Sequence, residues 1–218
     1  MYIATAVPAE WLFTPGETAM TESRTLALFD LDGTLTRRDT LSDLLVHQFG
    51  IARCLIAGGR LAPPLLGVPL GLIHRDQAKV ALLRHFFAGM SDAAFRALGR
   101  DYALNHLDRL LRPQARQRLD WHRHAGHRVI VISASVREWI QPWTDSLGIE
   151  LLATELERRH GHLTGELAGP NCRGPEKVVR LRARLDPADY QPVYAYGDTD
   201  GDTAMLALAD YATYRGLR

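Results

Sequence analysis

Three continuous apolar runs constrain this chain most: "LALFDL" at residues 26–31, "RVIVISAS" at 128–135 and "PVYAYGD" at 192–198. None shows the apolar–polar alternation of a half-exposed strand. Runs of this kind suit strands buried on both faces, as in a parallel sheet covered by helices on either side. "YATYR" (211–215) is a weaker fourth run, and "IELLATELE" (149–157) reads as one further strand. Helical patterns lie between them. "VREWIQPWTDSLG" ends at Gly148, a residue suited to a left-handed helix end, and Pro142 is expected to kink it. "PEKVVRLRARL" (175–185) opens on a proline at its first helical position. Strands alternating with helices predict an α/β fold with a central parallel sheet.

Residues 40–125 read differently, as four helices with almost no strand signal. Asp39 caps "TLSDLLVHQFG", which stops at Gly50. Asp76 caps "QAKVALLRHFFAG", which stops at Gly89. Ser91 caps "DAAFRALGRDYALNHLDRLL", and "RPQARQRLDWHRHAG" closes at Gly126. The expected organisation is an N-terminal arm at 1–24, a core built from 25–39 and 112–218, and an all-helical insertion at 40–111. The arm is either native or an upstream extension, with Met20 as the alternative start.

The 218 residues are 46% hydrophobic and 23% charged, with 26 basic and 25 acidic side chains. A net charge of +1 gives no reason to expect a nucleic-acid partner. Cys54 and Cys172 lack metal-ligand spacing and suggest a reducing, cytoplasmic setting without disulfides. "LIAGGRLAPPLLGVPLGLI" (55–73) is long enough to span a bilayer, but it holds Arg60, three prolines and four glycines. It reads as a buried or membrane-touching hairpin, peripheral at most, and not as a span.

Open parallel sheets bind ligands beyond the carboxyl ends of their strands. Asp30 and Asp32 sit at one such end and Ser133 at a second. Asp198 ends a third, with Asp200 and Asp202 close behind, and Lys177 begins the helix before that strand. Carboxylates gathered on one rim repel unless a cation lies among them, and hard oxygen donors favour Mg²⁺. A serine, a lysine and helix N-termini complete a cradle for phosphate.

Four motifs in this order resemble the haloacid dehalogenase-like hydrolase superfamily. They are "DLDGTLT", "VISAS", Lys177 within "NCRGPEK", and "GDTDGD" (197–202). The helical insertion after the first motif is similar to the superfamily's first (C1) cap type, on a Rossmann-like core. The "NCRGPEK" wording resembles the subgroup (IB) that includes phosphoserine phosphatase. The resemblance implies that Asp30 is a nucleophile forming an aspartyl-phosphate and Asp32 the general acid and base. It implies Mg²⁺ held by Asp30, the main-chain carbonyl of Asp32 and Asp198, with Asp202 binding or orienting. Ser133 and Lys177 would grip the phosphoryl oxygens, and Thr34 would steady the loop. An aspartate at 32 favours phosphatases and mutases over dehalogenases and transport ATPases.

The implied substrate is a small phosphomonoester, phosphoserine-like or related. Asp39 and Lys79 stand near positions where phosphoserine phosphatases carry a glutamate and an arginine, and neither change is conservative. A lipid headgroup of the phosphatidylglycerophosphate kind, a histidinol or sugar phosphate, and a phosphomutase reaction stay open. Asp200 reads as a turn residue, and His122, His124 and His127 as surface or dipole-facing groups. Trp139 and Trp143 read as packing on one helix face.

Overall fold

A computed structural model describes residues 24–61 and 74–217. Its strands are β1 (Leu26–Phe29), β2 (Arg128–Val136), β3 (Glu150–Thr154), β4 (Leu156–Arg159), β5 (His162–Leu167), β6 (Val193–Gly197) and β7 (Tyr211–Tyr214). Five form one sheet in the order β3-β2-β1-β6-β7, with every pairing parallel. β1 is central, and all four of its residues are buried. Successive side chains face opposite ways. Ala27 and Phe29 enter one apolar cluster, and Leu26 and Leu28 enter a second with Ile130, Ile132, Leu181 and Met205. This explains the unbroken apolar runs.

Register fixes the rim. Phe29 pairs with Val131 on one side and Tyr196 on the other. Asp30 therefore leaves the sheet beside Asp198, the residue after β6, and Ser133 of β2, which does not end at Ser133 as its sequence suggests but runs on to Val136 after a register shift.

The helices are α1 (Thr40–Phe49), α2 (Ile51–Arg60), α3 (Arg75–Phe87), α4 (Asp92–Asn105), α5 (Pro113–His124), α6 (Gln141–Leu147), α7 (Pro175–Arg184) and α8 (Thr203–Leu206). Asp39 caps α1 by accepting from Ser42 N at 2.8 Å, and Ser91 caps α4 by accepting from Ala94 N at 3.3 Å. Asp76 does not cap α3. His74 does, through a reciprocal box with Gln77, so Asp76 falls in the first turn. α4 stops at Asn105, and a separate 3-10 turn, Leu107–Leu110, buries Leu107 and Leu110. Pro142 opens a helix and kinks none. β2 runs on to Val136, a 3-10 turn follows, and α6 carries the proline in its first turn, where no N–H is missed. Gly148 ends α6 at φ 66°.

"IELLATELE" is two strands with Glu155 between them, and its second half folds back as an antiparallel hairpin with β5. His160 and Gly161, both at positive φ, make the two-residue turn. The hairpin lies against the helical block. Gly89 N donates to Leu163 O at 2.8 Å, and Leu163 N to Met90 O at 2.9 Å. His122 is a further correction, since it is fully buried.

The arm at 1–23 and most of the 55–73 segment (62–73) lie outside the described residues. Residues 55–60 belong to α2, where Leu55 and Ile56 are exposed. No helix among the described residues is long and apolar enough to cross a membrane.

Candidate active site

The β1 strand ends at Asp30, and the loop Leu31–Leu35 turns sharply back. Gly33 makes that turn at φ 85°, and a Cβ there would lie 2.4 Å from Asp198 Oδ2. Only glycine lets the loop touch the end of β6. Thr34 Oγ1 donates to Asp198 Oδ1 at 3.3 Å, so its contact is with the acidic group. Gly197 has the same logic, because a Cβ would meet Asp202 Cβ at 2.5 Å.

Asp30, Asp198 and Asp202 converge, with one carboxylate oxygen of each within 4.8 Å of the others. Lys177, 2% exposed, bridges two of them from α7: Nζ donates to Asp30 Oδ1 at 2.6 Å and to Asp202 Oδ1 at 2.7 Å. Asp202 Oδ2 accepts from Asp198 N (3.1 Å), Thr199 N (3.0 Å) and Thr199 Oγ1 (3.1 Å). Both Asp202 oxygens are thus occupied, which suits an orienting role better than a ligating one. Asp30 Oδ2 takes no hydrogen bond from the described residues.

The charges are far from balanced. Burial pushes Asp30 up to about 7, with Asp202 and Asp32 adding to the rise and Lys177 opposing it. Burial also works against Asp202, but Lys177 and the amides of Thr199 and Asp198 outweigh it and hold that carboxyl low. Burial works against the Lys177 charge too, and Asp30 and Asp202 more than restore it. Three carboxylates share one buried ammonium, and Arg215 reaches this group through the Asp198 main-chain oxygen, to which its Nε donates at 3.0 Å. A hard divalent cation fits that donor set.

Asp32 is held apart from this cluster. Its Oδ1 accepts from Thr40 N at 2.7 Å and its Oδ2 from Ser135 Oγ at 2.6 Å. Burial, and then the charge of Asp39, push it up to about 6. Only the main-chain carbonyl of Asp32 remains available to a metal.

These groups open onto a cavity of about 330 Å³. Asp30, Asp32, Lys177 and Asp202 line it, and so do Asp39 and Lys79. Asp39 gives one carboxylate oxygen to the α1 cap, where Oδ1 accepts from Ser42 N and Oγ, both at 2.8 Å. Lys79 Nζ donates to Ala134 O and Asn171 Oδ1, and burial lowers it to about 8. Ser133 is fully buried within β2, at its register shift, where its Oγ accepts from Ser135 N at 3.0 Å. Sequence reasoning missed Ser135, Thr40, Asn171 and Arg173. The available signal was the second serine of "SAS" and the Asn and Arg of "NCRGPEK".

The chain matches the haloacid dehalogenase-like hydrolases over residues 27–207. It belongs to that family, and its fold is that of the phosphoserine phosphatase-like members. Protein CicA of Caulobacter vibrioides is 37% identical over 195 residues, covering 88% of this chain and 86% of CicA. A Mycobacterium tuberculosis protein named as a probable phosphatase is 28% identical, covering 94% of this chain and 74% of that protein. A Bordetella pertussis protein of unknown function superposes at TM-score 0.74 and 25% identity, over 88% of this chain and 89% of the other. A phosphoserine phosphatase solved as a phospho-aspartyl intermediate analogue shares the fold at TM-score 0.53 and 19% identity, over 86% and 84% of the two chains.

Proposed function

We propose that this hydrolase is a Mg²⁺-dependent phosphomonoesterase of the cytoplasm that works through an aspartyl-phosphate on a small phosphorylated metabolite. One observation carries the reading: the two aspartates of "DLDGT" have different surroundings. Asp30 presents an oxygen with no hydrogen bond among the described residues, within a buried acidic cluster, while both Asp32 oxygens are held away from it.

Asp30, Asp198 and the Asp32 carbonyl would hold the metal, oriented by Asp202. When bound, the ion supplies the missing positive charge and keeps Asp30 ionised. Asp30 Oδ2 attacks phosphorus as the ester P–O bond breaks, and Asp32 gives its proton to the leaving oxygen. Water then attacks the aspartyl-phosphate, Asp32 takes the water's proton, and inorganic phosphate leaves with the Asp30 carboxylate restored. Lys177 has one N–H left for a phosphoryl oxygen, and Ser133 backs the same end from within β2. Asp39 and Lys79 form the wall that the rest of the substrate meets. The relative named as a phosphatase supports this reaction class.

The test is turnover of p-nitrophenyl phosphate with Mg²⁺ by the wild type and by Asp30→Asn. The expected result is loss of at least 10³-fold in kcat, as befits removal of a nucleophile. Activity that survives the substitution, or that ignores a chelator, would falsify the mechanism.

A lipid phosphate is the second reading. It is favoured by Ile51, Leu55 and Ile56, exposed on α2 beside Arg53 and Arg60. Micellar phosphatidylglycerophosphate turned over no better than a soluble ester would remove it.

A further inference from the structure

The acidic cluster needs all the positive charge near it. Ionised Asp30, Asp198 and Asp202 carry three negative charges. Lys177 offsets one and a divalent cation two. That leaves little beyond the third Lys177 N–H for a phosphoryl group, which brings close to two more negative charges at neutral pH. Lys177 is also nearly inaccessible, with its ammonium divided between two carboxylates. A second cation facing the phosphoryl oxygens would offset that charge.

Besides Lys177, the cations of the cavity wall are Arg37, Arg38, Arg75, Lys79 and Arg173, and Arg75 is exposed at the start of α3 with nothing holding its stem toward the cluster among the described residues. Arg37 is turned onto Arg109 O at 2.9 Å. Arg38 lies 3.7 Å from Asp43 and is largely in solvent. Lys79 is fastened to Ala134 O and Asn171, on the Asp32 side. Arg173 is different. It lines the same cavity and is half-buried, and its guanidinium has no hydrogen bond or ion pair among the described residues. Its stem is pinned beside the cluster. A Cβ on Gly201 would come within 3.1 Å of both Arg173 Cγ and Nε, and Gly174 N donates to Gly201 O at 2.9 Å. Gly201 directly precedes Asp202. A Cβ at 201 would force the arginine stem to give by a few tenths of an ångström. A buried stem with a free planar fork at its tip is the geometry that binds phosphate bidentately.

We infer that Arg173 is a substrate-binding residue that receives the phosphoryl oxygens and supplies the charge Lys177 has already spent. The inference rests on the phosphatase reading. Arg173 donates from the loop before α7, into the cavity that Asp30 also lines. Because the charge on phosphorus spreads over the same oxygens as the ester bond breaks, the contact serves binding and turnover alike.

The experiment uses the full chain with Mg²⁺, and inorganic phosphate and orthovanadate as competitive inhibitors of p-nitrophenyl phosphate hydrolysis. Arg173→Gln is expected to raise both inhibition constants at least tenfold, and Arg173→Lys to recover part of the loss. The Mg²⁺ concentration giving half-maximal activity should stay within twofold, because the arginine touches no metal ligand. Inhibition constants unchanged within twofold in Arg173→Gln would overturn the assignment. So would a Mg²⁺ midpoint that moves while they stay fixed, since the arginine would then only brace the Asp202 loop. If the wild type neither hydrolyses p-nitrophenyl phosphate nor binds phosphate, the phosphatase reading itself fails, and this inference with it. Arg173→Lys keeps the charge and most of the stem, so it serves if the glutamine variant does not fold.

Discussion

Ser135 Oγ lies 2.6 Å from Asp32 Oδ2 and 2.8 Å from Thr40 Oγ1. Trp139 Nε1 donates to Thr40 Oγ1 at 3.3 Å. Since Ser135 gives its single proton to Asp32, Thr40 gives its own to Ser135, and the indole gives one to Thr40. This chain of donors fixes the Asp32 carboxyl without touching the cavity. A hydrogen bond to a charged group is worth about 1.5–3 kcal/mol, so Ser135→Ala should lower kcat on alkyl phosphates by roughly tenfold or more. The loss should be smaller on p-nitrophenyl phosphate, whose leaving group needs little protonation. Equal losses on both substrates would mean that the serine is merely structural. Asp30, Asp32, Lys177, Asp198 and Asp202 were legible in the sequence because each stands at a strand or helix end, where local pattern alone gives position. Ser135 and Arg173 were not. Their meaning depends on Asp32 and Gly201, which lie 103 and 28 residues away.

At the scale of elements, the β4–β5 hairpin is what the sequence concealed. His160 holds the turn position that Asn or Asp usually fills, and Glu155 blurs the break between β3 and β4. The parallel strands were legible for the opposite reason, since burial on both faces leaves an unbroken apolar run. The hairpin packs on α3 so closely that a Cβ at Gly165 would lie 2.4 Å from Arg84 Cα. Backbone cannot yield as a side chain can. Gly165→Ala should therefore cost about 1–3 kcal/mol from overpacking, beyond the strain of its positive φ. Gly169→Ala is the control, because Gly169 also has a positive φ and nothing within 4 Å of a Cβ. Urea midpoints decide it: equal losses at 165 and 169 would show that the hairpin does not brace the helix.

At the scale of the whole molecule, the core carries a titratable group that the sequence reading put on the surface. His122 sits on α5 among Phe29, Trp121, Tyr194 and Tyr196, against the central strand. Its Nε2 meets Tyr196 Oη at 2.9 Å and its Nδ1 meets His127 Nδ1 at 2.8 Å. Burial, then His127 and Arg118, push it down to about 3, against an ordinary value of 6.5. The folded protein therefore refuses a proton that the unfolded chain accepts below about pH 6.5. Stability is fully present above that pH and falls as the pH drops toward 3, at up to about 1.4 kcal/mol per pH unit. Asp30 acts in the other sense, since its raised value favours the folded state at low pH and loses that contribution as the pH climbs toward 7. The two groups partly cancel between about pH 4 and 6.5, so the wild-type profile alone cannot separate them. His122→Gln removes one and leaves the other. Urea midpoints measured from pH 8 to pH 4 should show a lower plateau for the variant and a shallower acid limb. The gap between the two proteins should narrow steadily below about pH 6.5. A constant gap across that range would mean that the imidazole is not held neutral in the core.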